Sequence, residues 1–192
     1  MLSHLDNDWG ISVFATQENY RTLGRCDTIY IDGTFKTCPE PYSQFVTIHG
    51  KRLGRVFTLV MCPLTGKTIG QYRQLLQHVN GKIRQITGRR WRPTKVVCDL
   101  EVSLISALET ELPQTRICGC YFHFCQSLWR KIQEPGLARP YRRSRRVQRL
   151  LRKIMALGHL PIALLSQNFR RLADANPTRR KICDSLRFST LC

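Results

Sequence analysis

The chain has 192 residues, of which 42% are hydrophobic and 23% are charged, values typical of a folded globular protein rather than a disordered one. It carries 31 Lys and Arg residues against 13 Asp and Glu residues, a formal net charge of +18. Such an excess favours a polyanionic partner, and nucleic acid is the commonest one. No apolar stretch of the sequence is long enough for a membrane-spanning helix, so we expect no membrane partner.

Short runs rich in Val, Ile, Thr and Phe predict three strands, and Gly50–Gly54 predicts a hairpin turn between the second and the third. From Thr68 to Ile86, apolar side chains recur at three- and four-residue steps, which predicts an amphipathic helix. The other predicted elements alternate between strand and helix. In chain order the predicted strands are 28–31, 44–48, 56–60, 95–98 and 116–120, and the later helices are 102–112, 121–133 and 161–173. This order predicts an α/β fold with a mixed sheet, in which a three-stranded meander precedes alternating helices and strands.

The positive charge is concentrated in the last third of the chain. Residues 1–129 contain 15 basic and 10 acidic side chains, whereas residues 130–192 contain 16 basic and 3 acidic. We therefore divide the chain into a core domain, 1–136, and a basic all-helical segment, 137–192. An apolar stripe in this segment is surrounded by cations that we predict to contact nucleic acid: Arg142, Arg143, Arg145, Arg146, Arg149, Arg152 and Lys153. A solvated Arg-rich helix face is the alternative.

Two aspartates each follow a predicted strand directly. Asp32 comes after Ile29–Ile31, and Asp99 comes after Val96–Cys98. If the two strands are adjacent and parallel, the carboxylates emerge side by side, where they would repel each other unless a cation lay between them. Carboxylate oxygens suit Mg²⁺ or Mn²⁺, which can assist phosphodiester chemistry. Turn formation by Asp32 or helix capping by Asp99 is the alternative. The first acid follows the first predicted strand, and the second follows the strand after the first long helix. This order is that of the RNase H-like nuclease fold.

Several motifs resemble those of the Mutator-like element (MULE) transposases, in the same order along the chain. The segment beginning Asp32-Gly33-Thr34-Phe35-Lys36 resembles the family's DGTFK signature, and Cys98–Glu101 resembles its Asp-Phe-Glu step. Gly119–Gln126, which reads GCYFHFCQ, resembles a third family segment. The resemblance implies an RNase H-like, DDE-type transposase domain for DNA transposition. Such a domain would cleave and transfer DNA strands with the help of a metal ion, and it would act on DNA in the nucleus. The resemblance is also compatible with a homo-oligomer.

The resemblance also assigns roles to individual residues. Asp32 matches the first catalytic, metal-binding acid of the family and Asp99 the second, while Cys120 and His123 match its Cys-x-x-His motif. The family's third acid is a Glu after a helical insertion, and no clear counterpart is present here. The acids beyond His123 are Glu134, Asp174 and Asp184. We therefore expect this region to be truncated or diverged, which leaves activity uncertain and makes a catalytically inactive transposon-derived DNA-binding protein the alternative.

Two further clusters leave more than one interpretation open. Cys118, Cys120, His123 and Cys125 offer four atoms that zinc accepts, but ligands this close in sequence rarely all converge, so packing or support of the acids is the stronger interpretation. The Arg89–Arg92 loop contains Trp91. This loop is either a surface that stacks on a base and holds phosphates or an exposed loop with one anchoring Trp.

Overall fold

A computed structural model describes residues 10–34, 38–133 and 143–176. The chain divides into two compact units, residues 1–120 and residues 121–192. The predicted domain boundary after residue 136 falls in 134–142, outside the described residues. Each unit is described separately below.

The first unit contains a five-stranded mixed sheet. Its strands are β1 Thr28–Thr34, β2 Gln44–Arg52, β3 Arg55–Leu64, β4 Lys95–Cys98 and β5 Arg116–Gly119, arranged in the order β3-β2-β1-β4-β5. The first three strands form an antiparallel meander, and β4 and β5 are parallel to β1. The predicted α/β fold with a mixed sheet is therefore confirmed.

Three helices, α1 Gln17–Leu23, α2 Ile69–Thr87 and α3 Val102–Glu111, share one hydrophobic core with the sheet. Alternate strand residues such as Ile29, Ile31, Val96 and Cys98 enter this core, so α1–α3 cover one face of the sheet. We call this the helix face and the other the opposite face. The short helix α1 was not predicted, because its seven residues bury only Tyr20 and Leu23 and display no sustained periodicity.

The β2–β3 hairpin closes through a two-residue turn, Leu53-Gly54. Both residues have positive φ angles, 50° for Leu53 and 75° for Gly54. Two consecutive positive φ angles are typical of a type I′ turn, whose twist matches that of the flanking strands. Leucine is poorly suited to this conformation, and its side chain is 92% exposed, so it gains nothing from burial.

Leu53→Asn should therefore stabilise the protein by about 1 kcal/mol, because asparagine tolerates the left-handed conformation better than a larger L-residue. Urea unfolding of the two proteins would measure the difference. The β-branched variant Leu53→Val is the matched control and should be less stable than the wild type. If Leu53→Val proved more stable than Leu53→Asn, the turn assignment would be contradicted.

The second unit has three helices in its described residues, α4 Tyr121–Gln133, α5 Arg145–Ala156 and α6 Ile162–Asp174. Leu128 of α4 packs with Val147, Leu150, Leu151 and Ile154 of α5, while Phe169 and Leu172 of α6 border this cluster. The polar side of α5 is strongly basic, as the sequence indicates, and Ser144 caps its first turn. No helix in the described ranges is long and apolar enough to cross a bilayer.

Candidate active site

The two aspartates lie on neighbouring parallel strands. The register pairs Ile31 of β1 with Cys98 of β4. Asp32 follows Ile31 within β1, and Asp99 follows Cys98 directly after β4. Both are half-buried. The expectation that these strands are adjacent and parallel is confirmed, and the acids share the carboxyl edge of the parallel strands. Their metal-binding and catalytic roles stay predictions.

Each aspartate is held by local hydrogen bonds. The backbone N–H of Leu100 donates to Asp99 Oδ1 over 2.7 Å, which orients that carboxylate at the turn into α3. The Thr47 hydroxyl of β2 donates to the backbone oxygen of Asp32 over 3.4 Å, and Thr47 is also the register partner of Asp32.

His49 is a neighbour of Asp32 that the sequence did not reveal. Its ring nitrogens lie 2.9 Å from the Thr47 hydroxyl and 3.0 Å from the Thr58 hydroxyl, so two β-sheet hydroxyls fix the orientation of the imidazole. Burial lowers the pKa of His49, while the negative charge of Asp32 acts in the opposite sense. The neutral ring therefore lies in the electrostatic field of the first acid. The β1–β2 register places both residues on one face of the sheet, and no local pattern of the sequence indicates this neighbour.

A buried hydrogen-bond chain connects the sheet, α2 and the start of α3 near Asp99. Gln44 Nε2 donates to the Tyr72 hydroxyl over 2.7 Å, and this hydroxyl donates to Glu101 Oε1 over 3.1 Å. Burial is the main cause that raises the pKa of Tyr72, and the negative charges of Glu101 and Asp99 raise it further. Tyr72 therefore stays protonated and holds Glu101, two residues after the second acid.

Tyr72→Phe should lower the free energy of unfolding by about 1–2 kcal/mol, because the buried Gln44 amide would lose its closest acceptor. Urea denaturation with a shared m-value would measure the loss. Tyr30→Phe is a suitable control, since the half-buried Tyr30 hydroxyl makes no hydrogen bond within the described residues. Equal effects of the two substitutions would contradict the role given to the Tyr72 hydroxyl.

Cys120 and His123 fall in different units of the chain. Cys120 directly follows β5, and its backbone N–H donates to the Cys98 oxygen over 2.7 Å, which continues the parallel pairing beside Asp99. His123 lies in the first turn of α4, where its ring contacts that of Phe122 edge to face. Burial raises the pKa of the neighbouring Cys98 thiol to about 12, so this sulfur is protonated at neutral pH. The motif's role stays a prediction.

The predicted nucleic-acid contacts are described with one exception. Arg142 lies outside the described residues. The other six side chains are exposed on α5 or just before it: Arg143, Arg145, Arg146, Arg149, Arg152 and Lys153. Since the apolar stripe of α5 is buried, its cations are directed to solvent, where a polyanion can reach them.

The structure describes only one of the three acids beyond His123. Glu134 and Asp184 lie outside the described residues, and Asp174 ends α6 in the second unit. Within the described parts of the chain, no three His, Cys, Asp or Glu side chains come together in a group that could hold a metal ion.

Trp91 anchors its loop rather than offering a stacking surface. Its side chain is only 2% exposed and belongs to the core of the first unit, and its backbone N–H donates to Asn80 Oδ1 over 3.0 Å. The flanking Arg90 and Arg92 are exposed and line a cavity of about 400 Å³ beside it. The anchoring interpretation of this loop is supported, and stacking of a base on Trp91 is excluded in this conformation.

Comparison with known protein families gives a match over the part of the chain that carries both aspartates. The family model described as MULE transposase domain matches residues 28–127. The match runs from the start of β1 into α4 and so includes Asp32, Asp99, Cys120 and His123. A search of curated proteins found no match to the chain.

Proposed function

The chain belongs to the MULE transposase domain family, and from this membership we propose that Asp32 and Asp99 hold Mg²⁺ or Mn²⁺ for the cleavage and transfer of DNA strands during transposition. The proposal includes an RNase H-like architecture. An antiparallel β1–β3 meander with β4 and β5 added parallel to β1 supports it. A nuclear location and the possibility of homo-oligomers follow from the same family membership.

The observation that carries the proposal is the register of β1 and β4. Ile31 pairs with Cys98, so the half-buried residues directly after them, Asp32 and Asp99, are neighbours across adjacent strands. No basic residue lies between them in the sheet. This donor set fits Mg²⁺, which is commonly bound by one or two carboxylates, several waters and the phosphates of a substrate. A metal bound there would polarise the phosphodiester and lower the pKa of an attacking water.

The chain's own residues would prepare this site in three ways. The Leu100 N–H orients the Asp99 carboxylate, and the Tyr72–Glu101 hydrogen bond fixes the start of α3 that follows it. Thr47 binds the Asp32 backbone and at the same time orients His49. Preorganised ligands of this kind lose little freedom when a substrate phosphate arrives.

DNA would be held chiefly by α5 in the second unit. Five exposed cations on this helix, with Arg143 just before it, form a dense positive surface: Arg145, Arg146, Arg149, Arg152 and Lys153. Contacts between such cations and phosphates release counterions and therefore weaken as salt increases. Zinc at the cysteine cluster is the weaker of the two metal proposals, because the metal would need ligands from both sides of the β5–α4 junction.

A second candidate function is a DNA-binding protein that has lost catalysis. It is favoured by the two acids, rather than three, at the carboxyl edge among the described residues. Phosphoryl transfer depends on positioning by metal ions, so the loss of one metal-binding acid usually removes most activity. The basic α5 surface would still bind DNA in such a protein.

One assay distinguishes the two functions. The full chain is incubated with labelled duplex DNA and Mn²⁺ beside the variants Asp32→Asn and Asp99→Asn. Asp27→Asn is the matched control, because Asp27 is an exposed acid directly before β1, at the other end of the same strand. Cleavage that persists in the control and disappears in both other variants supports the transposase. Salt-sensitive binding without cleavage supports the inactive protein, and cleavage that survives Asp99→Asn contradicts the assigned site.

A further inference from the structure

Basic side chains line the amino edge of the parallel strands, at the other end of the sheet from Asp32 and Asp99. The register joins four strands there: Lys51 of β2 pairs with Thr28 of β1, Thr28 with Lys95 of β4, and Lys95 with Arg116 of β5. All three cations are exposed. We call Lys51, Lys95 and Arg116 the cationic row.

The row is not neutralised by acids of the described part of the chain. The ion pairs found there join Arg21 to Glu18 and Arg73 to Glu111, and none includes a member of the row. The nearby Asp27 contributes its backbone oxygen, which accepts a hydrogen bond from the Lys95 N–H over 3.0 Å. Like charges directly opposite on neighbouring strands destabilise a sheet, so Lys95 beside Arg116 has a cost that a bound anion would relieve.

The row lies on the same face of the sheet as Asp32. Ile29 and Ile31 enter the core on the helix face, which leaves Thr28 and Asp32 on the opposite face. Val96 and Ile117 also pack towards the core, so Lys95 and Arg116 share that opposite face. The four residue steps from Thr28 to Asp32 correspond to about 13 Å along the strand, and three strand spacings make the row about 14 Å wide.

We propose that the cationic row is a second contact for the phosphate backbone of duplex DNA, separate from α5 and aligned with Asp32 on one face of the sheet. The partner, DNA, rests on the proposed function, but the row lies outside the three family-like motifs of the sequence, 32–36, 98–101 and 119–126. A separation of about 13 Å is close to the ~12 Å width of the DNA major groove. A duplex held at the row can therefore place a phosphate across the groove at the carboxyl edge.

Edge protection is the competing explanation for part of the row. β5 is the last strand of the sheet, and exposed basic residues on such strands also discourage pairing with other chains. That role would explain Arg116 alone, whereas β4 and β2 are interior strands. It also makes no demand on DNA affinity, which gives the two explanations different consequences.

The test measures how the affinity of the full chain for a short labelled duplex depends on salt, between about 0.05 and 0.2 M. The double variant Lys95→Gln/Arg116→Gln is compared with Arg21→Gln/Arg73→Gln, which removes the same charge from cations already paired with Glu18 and Glu111. Thermal unfolding of both variants checks that the fold is retained. Loss of two phosphate contacts should reduce the slope of log K against log salt by about 1.8 and weaken binding at least about tenfold at ~0.1 M salt.

The outcomes separate this inference from the proposed function. Absence of duplex binding by the wild type at low salt would overturn the proposed function itself, and the inference with it. Wild-type binding with equal slopes for both double variants would overturn the inference alone and leave α5 as the DNA contact. The wild type could instead bind single-stranded RNA more tightly than the duplex and lose this preference in Lys95→Gln/Arg116→Gln. That result would support the cationic row as a binding site but overturn duplex DNA as its occupant.

Discussion

Mn²⁺ should stabilise the wild-type protein against unfolding, and replacement of either Asp32 or Asp99 by asparagine should remove this effect. A ligand that binds only the folded state at a hundredfold excess over its Kd contributes about 2.7 kcal/mol. If the loss of one carboxylate weakens metal binding about a hundredfold, the same Mn²⁺ concentration contributes only about 0.4 kcal/mol. Thermal unfolding with and without Mn²⁺ would measure both values.

The substitutions should not harm the metal-free protein. Two carboxylates about 5 Å apart, the spacing of neighbouring strands, repel each other by roughly 1 kcal/mol in a water-like dielectric. Asparagine removes that repulsion, and at position 99 its side-chain oxygen can still accept the hydrogen bond from Leu100. The metal-free Asp99→Asn protein should therefore be at least as stable as the wild type.

Asp27→Asn supplies the control for this measurement as well. Asp27 is exposed at the amino end of β1, so a general effect of Mn²⁺ on surface acids would be reduced equally in all three variants. A stabilisation that survives in Asp32→Asn and Asp99→Asn would mean that the metal binds elsewhere. Because the readout is stability, it is independent of whether the chain cleaves DNA.

The positions of the acids could be predicted from sequence because each follows an uninterrupted apolar run. The predicted strand end at residue 98 is the observed end of β4, whereas β1 continues past the predicted end at residue 31 to Thr34. The parallel pairing of the two strands nevertheless ends with Ile31 and Cys98, directly before the two acids. Parallel adjacency of β1 and β4 depends on how α2 crosses between β3 and β4, and a long helix between strands indicates such a crossover only in general terms. The family's motifs narrowed this choice.

The supporting contacts had no signal in the sequence. Gln44, Tyr72 and Glu101 are separated by about thirty residues at each step, and their hydrogen bonds form only when β2, α2 and α3 pack together. A polar residue at the start of a strand is ordinarily read as exposed, yet Gln44 is fully buried. The same holds for His49, whose proximity to Asp32 follows from the β1–β2 register rather than from any local pattern.

The prediction for Lys95→Gln/Arg116→Gln and its control Arg21→Gln/Arg73→Gln depends on where charges lie in the fold. Charge counts identified the second unit as the positive part of the chain, but the first unit has only a modest excess of cations. Its cationic row appears when residues 51, 95 and 116 become neighbours through strand pairing. Sequence composition reports total charge, whereas affinity for a polyanion depends on where that charge is gathered.

Trp91→Ala should lower the free energy of unfolding by about 3–5 kcal/mol, the usual cost of removing a large buried aromatic side chain. Trp91 is one of the largest fully buried side chains of the first unit and packs in the same core as the strands that carry the acids. Trp91→Phe should cost much less, since it retains a ring. It also removes the indole N–H, a buried donor without a hydrogen-bond partner among the described residues.

The same pair of variants tests whether the Arg89–Arg92 loop binds a base. Stacking of a base on an aromatic side chain contributes about 1–3 kcal/mol, so a stacking Trp91 would make Trp91→Phe bind single-stranded DNA differently from the wild type. Burial of the ring predicts unchanged affinity at a fixed salt concentration. Arg90 and Arg92 are exposed, so Arg90→Gln/Arg92→Gln reports on phosphate contact by the loop. A large loss of affinity in Trp91→Phe with unchanged stability would show that the indole reaches the surface when DNA binds.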